Sequence, residues 1–456
     1  MSKFERFQIP TYEDLEKQIA QLGVDIQITK DLSSLAKPVM IHGHRVPNAM
    51  AILPMEGCDS NPDGSPSELV LRRYKRLARG GAGLIWVEAC AIVEWGKANP
   101  LQMHLNEKNI GTFTDLIQLI HGEAADSMGT EHKPLTILQL THSGRYSKPH
   151  GVPAPVIGYH DPYLDQRAGV TPDQKPITDE ALDALQADYV RVALLAKEAG
   201  FDGVDIKSCH RYLLSELLAG FTRENSKYGG SFENRTRFLL ETVAKVKAAV
   251  GDDFILACRL NVFDAHPYPY GWGVSEKSLM IPDMTEPLRL VKLLQEAGVN
   301  LLSNSAGNPY YDNPFVTRPL DVPDIGIPKP FEHPLEGTER LFDLTRQVQK
   351  AAPDMVIIGN GYSWLRRYSC YAGAANVASG TAGMLGYGRM AFAYPDAPKD
   401  ILEHGTLYKE KECIACSKCT QIMRDSGTTG CVVRDGEVYL PLYNHFRQQA
   451  KARGKK

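Results

Sequence analysis

Eight short apolar runs, spaced by longer amphipathic stretches, constrain this chain more than any other feature. They read NAMAILPM (48–55), GLIWVEACAIV (83–93), PLTILQLTH (134–142), FDGVDI (201–206), DFILACRLN (253–261), VNLLSNSA (299–306), MVIIGNG (355–361) and AGMLGYGR (382–389). Between them lie helical patterns such as ITDEALDALQADYVRVALLAKEAG and RTRFLLETVAKVKAAVG. Strand-like runs separated by helices argue for a parallel sheet with helical crossovers. Eight such units predict an α/β fold of the (β/α)8 TIM barrel class. An open doubly wound sheet is the rival. It is disfavoured because no G-x-G-x-x-G fingerprint lies between a strand and a helix.

The 456 residues leave room for appendages around such a barrel. The division expected is a barrel with its lead-in over 1–390 and a C-terminal extension over 391–456. The extension is too short to be an independent cofactor domain, so it is expected to pack against the barrel. Its end, KARGKK, is expected to be a frayed, solvated terminus. Hydrophobic residues at 43% and charged ones at 23% suit a soluble globular protein, and a net charge of −3 gives no reason to expect nucleic-acid binding. No run approaches the ~18 apolar residues of a membrane helix, and the start lacks a secretory apolar core, so a cytoplasmic location is expected.

Barrels of this kind place chemistry at the carboxyl ends of their strands. There the sequence gathers Pro54, Met55 and Glu56; Gln139 and His142; Lys207, His210 and Tyr212; Arg259; Gly359, Asn360 and Gly361; and Gly386, Gly388 and Arg389. Glycines after the last two strands let backbone N–H groups approach a phosphate, and Arg389 adds charge-assisted hydrogen bonds. Two connections rich in proline and aromatics, 261–273 and 307–334, leave the same face. One of them is expected to line a substrate pocket.

Four of the nine cysteines crowd into nineteen residues as Cys413, Cys416, Cys419 and Cys431, spaced C-x2-C-x2-C-x11-C. In a reducing compartment such a cluster points to metal rather than disulfides. Its spacing alone suits zinc and iron–sulfur equally. Cys90, Cys258 and Cys370 read as small core residues, and Cys209 as facing away from the pocket.

The successive motifs NAMAILPMEG, RRYKRLARGGAGLIWVEACAIV, ILQLTHSGRYSKP, GFDGVDIKSCHRYLLSELLAGFTRENSKYGGSFENRTRFLLE, LACRLN and GYGRM resemble those of the old yellow enzyme family of NADH:flavin oxidoreductases. The cysteine tail directs the resemblance to its 2,4-dienoyl-CoA reductase-like branch. The resemblance implies an FMN-binding barrel that reduces activated C=C bonds of α,β-unsaturated carbonyls or carboxylates, with a four-iron–four-sulfur cluster on the four tail cysteines. It places Leu53, Pro54, Met55 and Glu56 along the isoalloxazine edge and Ala89 beneath it. Gln139 and Arg259 would meet the pyrimidine ring, and Gly361, Gly388 and Arg389 the phosphate. Tyr212 matches the proton donor and His210 the group that polarises the substrate carbonyl.

Three positions depart from the family pattern. Lys207 stands where a histidine is usual, Glu56 where Thr, Cys or His is usual, and Arg211 where glycine is common. Lys207 is expected either to bind a carbonyl or carboxylate and stabilise enolate charge, or to pair with Glu56 or Asp205 structurally. Electrons are expected from NAD(P)H, a separate donor protein or a partner subunit. Assembly as a homo-oligomer is expected as well. A flavin and iron–sulfur dehydrogenase or demethylase of an amine-like substrate is the alternative function.

Overall fold

The computed structural model describes residues 3–311 and 313–454. Each of the eight apolar runs contains a strand: Met50–Ile52, Leu84–Ala91, Leu135–Thr141, Gly203–Ile206, Ile255–Phe263, Leu301–Ala306, Val356–Gly359 and Met384–Tyr387. All eight neighbouring pairs are parallel, and the last strand closes on the first (Leu385 beside Met50, Tyr387 beside Ile52), so the sheet is a closed barrel. The expected (β/α)8 architecture is present.

The barrel interior is packed, not hollow. Ala51, Leu53, Leu84, Trp86, Leu135, Ile137, Ile255, Ala257, Leu301, Ile358 and Met384 form one buried cluster there. Ile41 and Val46, from the antiparallel hairpin Val39–Ile41 and His44–Val46 in the lead-in, belong to the same cluster and plug the amino-terminal mouth. Several crossover helices start where the sequence supplies caps. Thr178 accepts from Ala181 N–H at the head of Asp179–Glu198, and Ser231 accepts from Asn234 N–H at the head of Phe232–Val250.

The extension carries helices Ala397–His404, Lys418–Arg424 and Gly436–Ala452. It is tied to the barrel by ion pairs of Asp435 with Arg72 and Arg76, of Glu412 with Arg366 and Arg367, and of Arg424 with Asp324. Backbone bonds add to these: Thr429 N–H donates to Gly57 O at 2.6 Å and Asp321 N–H to Ala415 O at 3.0 Å. The KARGKK end is solvated but not frayed over its first residues. Lys451 and Ala452 complete the last helix, and Arg453 donates to Asp425 O at 3.0 Å. Lys455 and Lys456 lie outside the described residues, as does Asp312 of the 307–334 connection. Among the described residues no helix is long and apolar enough to cross a membrane.

Candidate active site

One cavity opens at the carboxyl ends of the strands. It holds about 1200 Å³ of space, counting the part open to solvent, and it gathers Leu53, Pro54, Met55, Glu56, Gln139, Lys207, His210, Tyr212, Arg259, Gly361, Gly388 and Arg389. The candidate barrel residues line this one space, apart from Ala89, His142 and Gly359. Ala89 is buried inside the second strand where its register breaks between Val87 and Cys90, and its carbonyl accepts from Gln102 Nε2 at 3.3 Å. His142 does not reach the cavity either. Its Nδ1 accepts from Gly144 N–H at 3.1 Å, its ring meets Trp95 edge-on at 4.4 Å, and burial pushes it down to about 3.

Beneath the cavity, Asp205 on the fourth strand organises its neighbours. Its carboxylate accepts from Gln139 Nε2 at 2.6 Å, Trp86 Nε1 at 3.0 Å and Arg259 N–H at 2.7 Å. Burial pushes Asp205 up to about 6. Arg259 Nη1 donates to Pro54 O at 3.1 Å, and its Nε is buried with no protein partner. Arg389 donates to Pro319 O at 2.6 Å, while its Nη1 is likewise buried and unpaired. Two buried cationic donors left unsatisfied along one cavity are costly unless an anionic ligand receives them.

Lys207 lines the cavity and is also paired with Glu56, one of the two partners expected for it in a structural role. Its Nζ lies 3.2 Å from Glu56 Oε1 and 4.0 Å from the centre of the Tyr212 ring, and the side chain is 3% exposed. His210 is held neutral: burial, then the charges of Arg259, Lys207 and Arg318, place its imidazole well below the usual value. His210 and Arg211 both adopt left-handed backbone, with φ of 61° and 59°. Arg211, fully buried, is held there by Asp161 and Asp264, each at 3.1 Å, and by Tyr159 Oη at 2.5 Å. Tyr212 is 3% exposed, and burial, then the negative charge of Glu56, raise its phenol well above the usual value.

The 307–334 connection is the one that reaches the cavity, through Pro309, Tyr310, Thr317 and Arg318. Tyr310 is a functional candidate that residue-by-residue reading missed. The only signal for it was the aromatic, proline-rich character of its loop. The 261–273 connection is not part of this lining; its Trp272 is buried instead.

The extension closes the cavity with Cys419, Thr420, Met423, Arg424 and Thr429. Beside it, a smaller space of about 370 Å³ is lined by all four of Cys413, Cys416, Cys419 and Cys431, and by Arg389. Left-handed backbone at Ala415 (φ 51°) and Ser417 (φ 57°) curls the C-x2-C-x2-C loop around it. Backbone N–H groups of Ala415 and Arg434 donate to the sulfurs of Cys413 and Cys431 at 3.5 and 3.3 Å. Among the described residues no group of three or more His, Cys, Asp or Glu side chains converges closely enough to hold a single metal ion. Cys90, Cys209, Cys258 and Cys370 are buried, and none of them lines the larger cavity.

The model of the NADH:flavin oxidoreductase / NADH oxidase family matches residues 34–300. An NADH oxidase of Thermoanaerobacter brockii is 28% identical over 373 residues, which is 81% of this chain and 50% of that protein. A cinnamate reductase of Clostridium sporogenes is 26% identical over 417 residues, 88% of this chain and 57% of its own length. The chain thus spans about half the length of these two relatives. Among solved structures, a 2-naphthoyl-CoA reductase complex superposes with a TM-score of 0.70 at 21% identity, covering 91% of this chain and 58% of that one.

Proposed function

Because the chain belongs to the NADH:flavin oxidoreductase / NADH oxidase family, we propose that it is an FMN-dependent ene-reductase acting on an α,β-unsaturated carbonyl or carboxylate. The observation that carries this reading is the single cavity shared by a set of ring- and phosphate-binding donors and a buried phenol. FMN fits the donors present. Gln139 and Arg259 would hold the pyrimidine ring, Gly361, Gly388 and Arg389 the phosphate, and Pro54 to Glu56 the ring edge. The unpaired Nε of Arg259 and Nη1 of Arg389 are the atoms such a ligand would satisfy. A side chain at Gly361, where φ is 91°, would strain the backbone and bring a Cβ to 2.8 Å from Leu341.

When bound, the flavin supplies the hydride. His210, neutral, donates a hydrogen bond to the substrate oxygen, and Lys207 adds charge where the enolate develops. Tyr212 Oη gives its proton to the substrate carbon. Of the cationic side chains in the lining, Arg318 and Arg424 are paired with Asp324 and Lys207 with Glu56. Lys207 and His210 beside the Tyr212 phenol favour a carbonyl or carboxylate substrate over the ammonium of an amine dehydrogenase.

The four thiols line one space beside the flavin-binding cavity, and backbone N–H groups donate to two of the sulfurs. This arrangement supports a four-iron–four-sulfur cluster over a single zinc ion. The donor would be NAD(P)H or a separate redox protein, in the reducing cytoplasm that free thiols require. Iron and acid-labile sulfide near four each per chain are expected; zinc at one per chain would contradict the cluster. Tyr212→Phe should slow substrate reduction by about 10²–10³-fold while leaving flavin reduction within about twofold. Equal slowing of both half-reactions, read by anaerobic stopped-flow, would remove Tyr212 from the donor role.

A further inference from the structure

The proton donor is almost fully buried in the wall of the cavity. Tyr212 is 3% exposed, and among the described residues the hydrogen-bond partner of its hydroxyl is Tyr310 Oη, at 3.0 Å. Lys207 lies over the centre of the Tyr212 ring and not at the hydroxyl, and it is already paired with Glu56. Tyr310 is only half-buried and sits on the connection after the sixth strand. Its ring stacks on Tyr146 at 3.9 Å with 27° between the planes, and its N–H donates to Asn308 Oδ1 at 3.0 Å. The second phenol is thus fixed by ring and backbone, with its oxygen against the first.

Each turnover strips one proton from Tyr212, and a buried phenolate is expensive to leave in place. The proton must be replaced before the next substrate can be reduced. We propose that Tyr310 is the positioning residue that reloads Tyr212 from solvent. After the Tyr212 O–H bond breaks and a C–H bond forms on the substrate, the Tyr310 O–H bond breaks and its proton forms the new Tyr212 O–H bond. In the same step the Tyr310 oxygen takes a proton from a solvent water, whose hydroxide is neutralised by the buffer, so the proton delivered to the substrate originates in solvent. No oxidant or reductant enters the relay.

The inference rests on the proton-donor role proposed for Tyr212, and the experiment separates the two. The wild-type protein is first shown to reduce an unsaturated acid or enone, with Tyr212→Phe slowing the first turnover by about 10²–10³-fold; failure at this stage counts against the donor role itself. Tyr310→Phe, which keeps the stack on Tyr146, is then followed by rapid quench with excess dithionite as donor. The first turnover should stay within about threefold of wild type, and later turnovers should fall by about tenfold or more. The later turnovers should carry an enlarged solvent deuterium isotope effect, and imidazole, a small diffusible acid, should speed them. First and later turnovers slowed by the same factor, or neither slowed, would overturn the relay. If the variant misfolds, the wild-type protein still decides: two protons in flight give a curved rate dependence in mixed H2O and D2O, and a straight line rejects the relay.

Discussion

At the scale of single residues, Lys207 is where the chain departs most from its family's pattern, and the structure gives the departure a partner. Glu56 departs as well, and the two new charges meet at 3.2 Å across the barrel mouth. Removing one member of a buried pair leaves the other uncompensated, at a cost of about 3–5 kcal/mol. Lys207→Met alone should therefore lower stability as well as turnover. The double change Lys207→Met with Glu56→Gln should recover most of the stability and none of the turnover, measured by urea unfolding beside steady-state kinetics. Recovery of both would make the pair purely structural. Glu56→Gln alone should leave the lysine charge facing the substrate, lowering KM for an unsaturated carboxylate by about tenfold without changing KM for a neutral enone. In the proposed role His210 acts while neutral, so His210→Asn should keep activity within about tenfold of wild type, and no pH step near 6.5 should depend on residue 210.

At the scale of elements, the alternation of strand and helix was readable because each strand lies in a largely apolar run and several crossover helices bring their own caps. The stretch YGGSFENR, part of the longest motif of the resemblance, is structural here. Ser231 caps a helix, and Arg235 donates to Leu218 O at 2.7 Å beneath the Phe221 ring. What the sequence could not show is how Arg211 survives at a left-handed position. The carboxylates that hold it come from Asp161 and Asp264, each at least fifty residues away along the chain. Arg211→Gly relieves the backbone but strands both carboxylates, so a loss of about 3–5 kcal/mol is expected in urea unfolding; a stabilised variant would contradict the compensation. Asp205 sets a second expectation. Held up at about 6, it keeps a proton in the folded chain that the unfolded chain releases near 4, so stability should fall as pH rises through this window. Asp205→Asn should flatten that fall. Ala89 does not line the cavity, and the register break beside it, inside a uniformly buried strand, leaves no trace in the pattern.

At the scale of the whole molecule, the extension completes the site as well as covering it. Cys419 lines both the larger cavity and the space ringed by the four thiols, and Arg389 is likewise common to both. Cys419→Ser should therefore lower iron content and FMN retention together, whereas Cys416→Ser, away from the larger cavity, should lower iron alone. Parallel losses in both variants, read by metal analysis and flavin absorbance, would mean that the extension acts as one folding unit. The most direct measurement of the central claim is an anaerobic titration of the dithionite-reduced protein with an unsaturated acid such as cinnamate and with a neutral enone. Flavin absorbance should return in step with stoichiometric saturated product from at least one of them. A protein that carries no flavin, or whose reduced flavin is reoxidised by neither, would contradict the assignment.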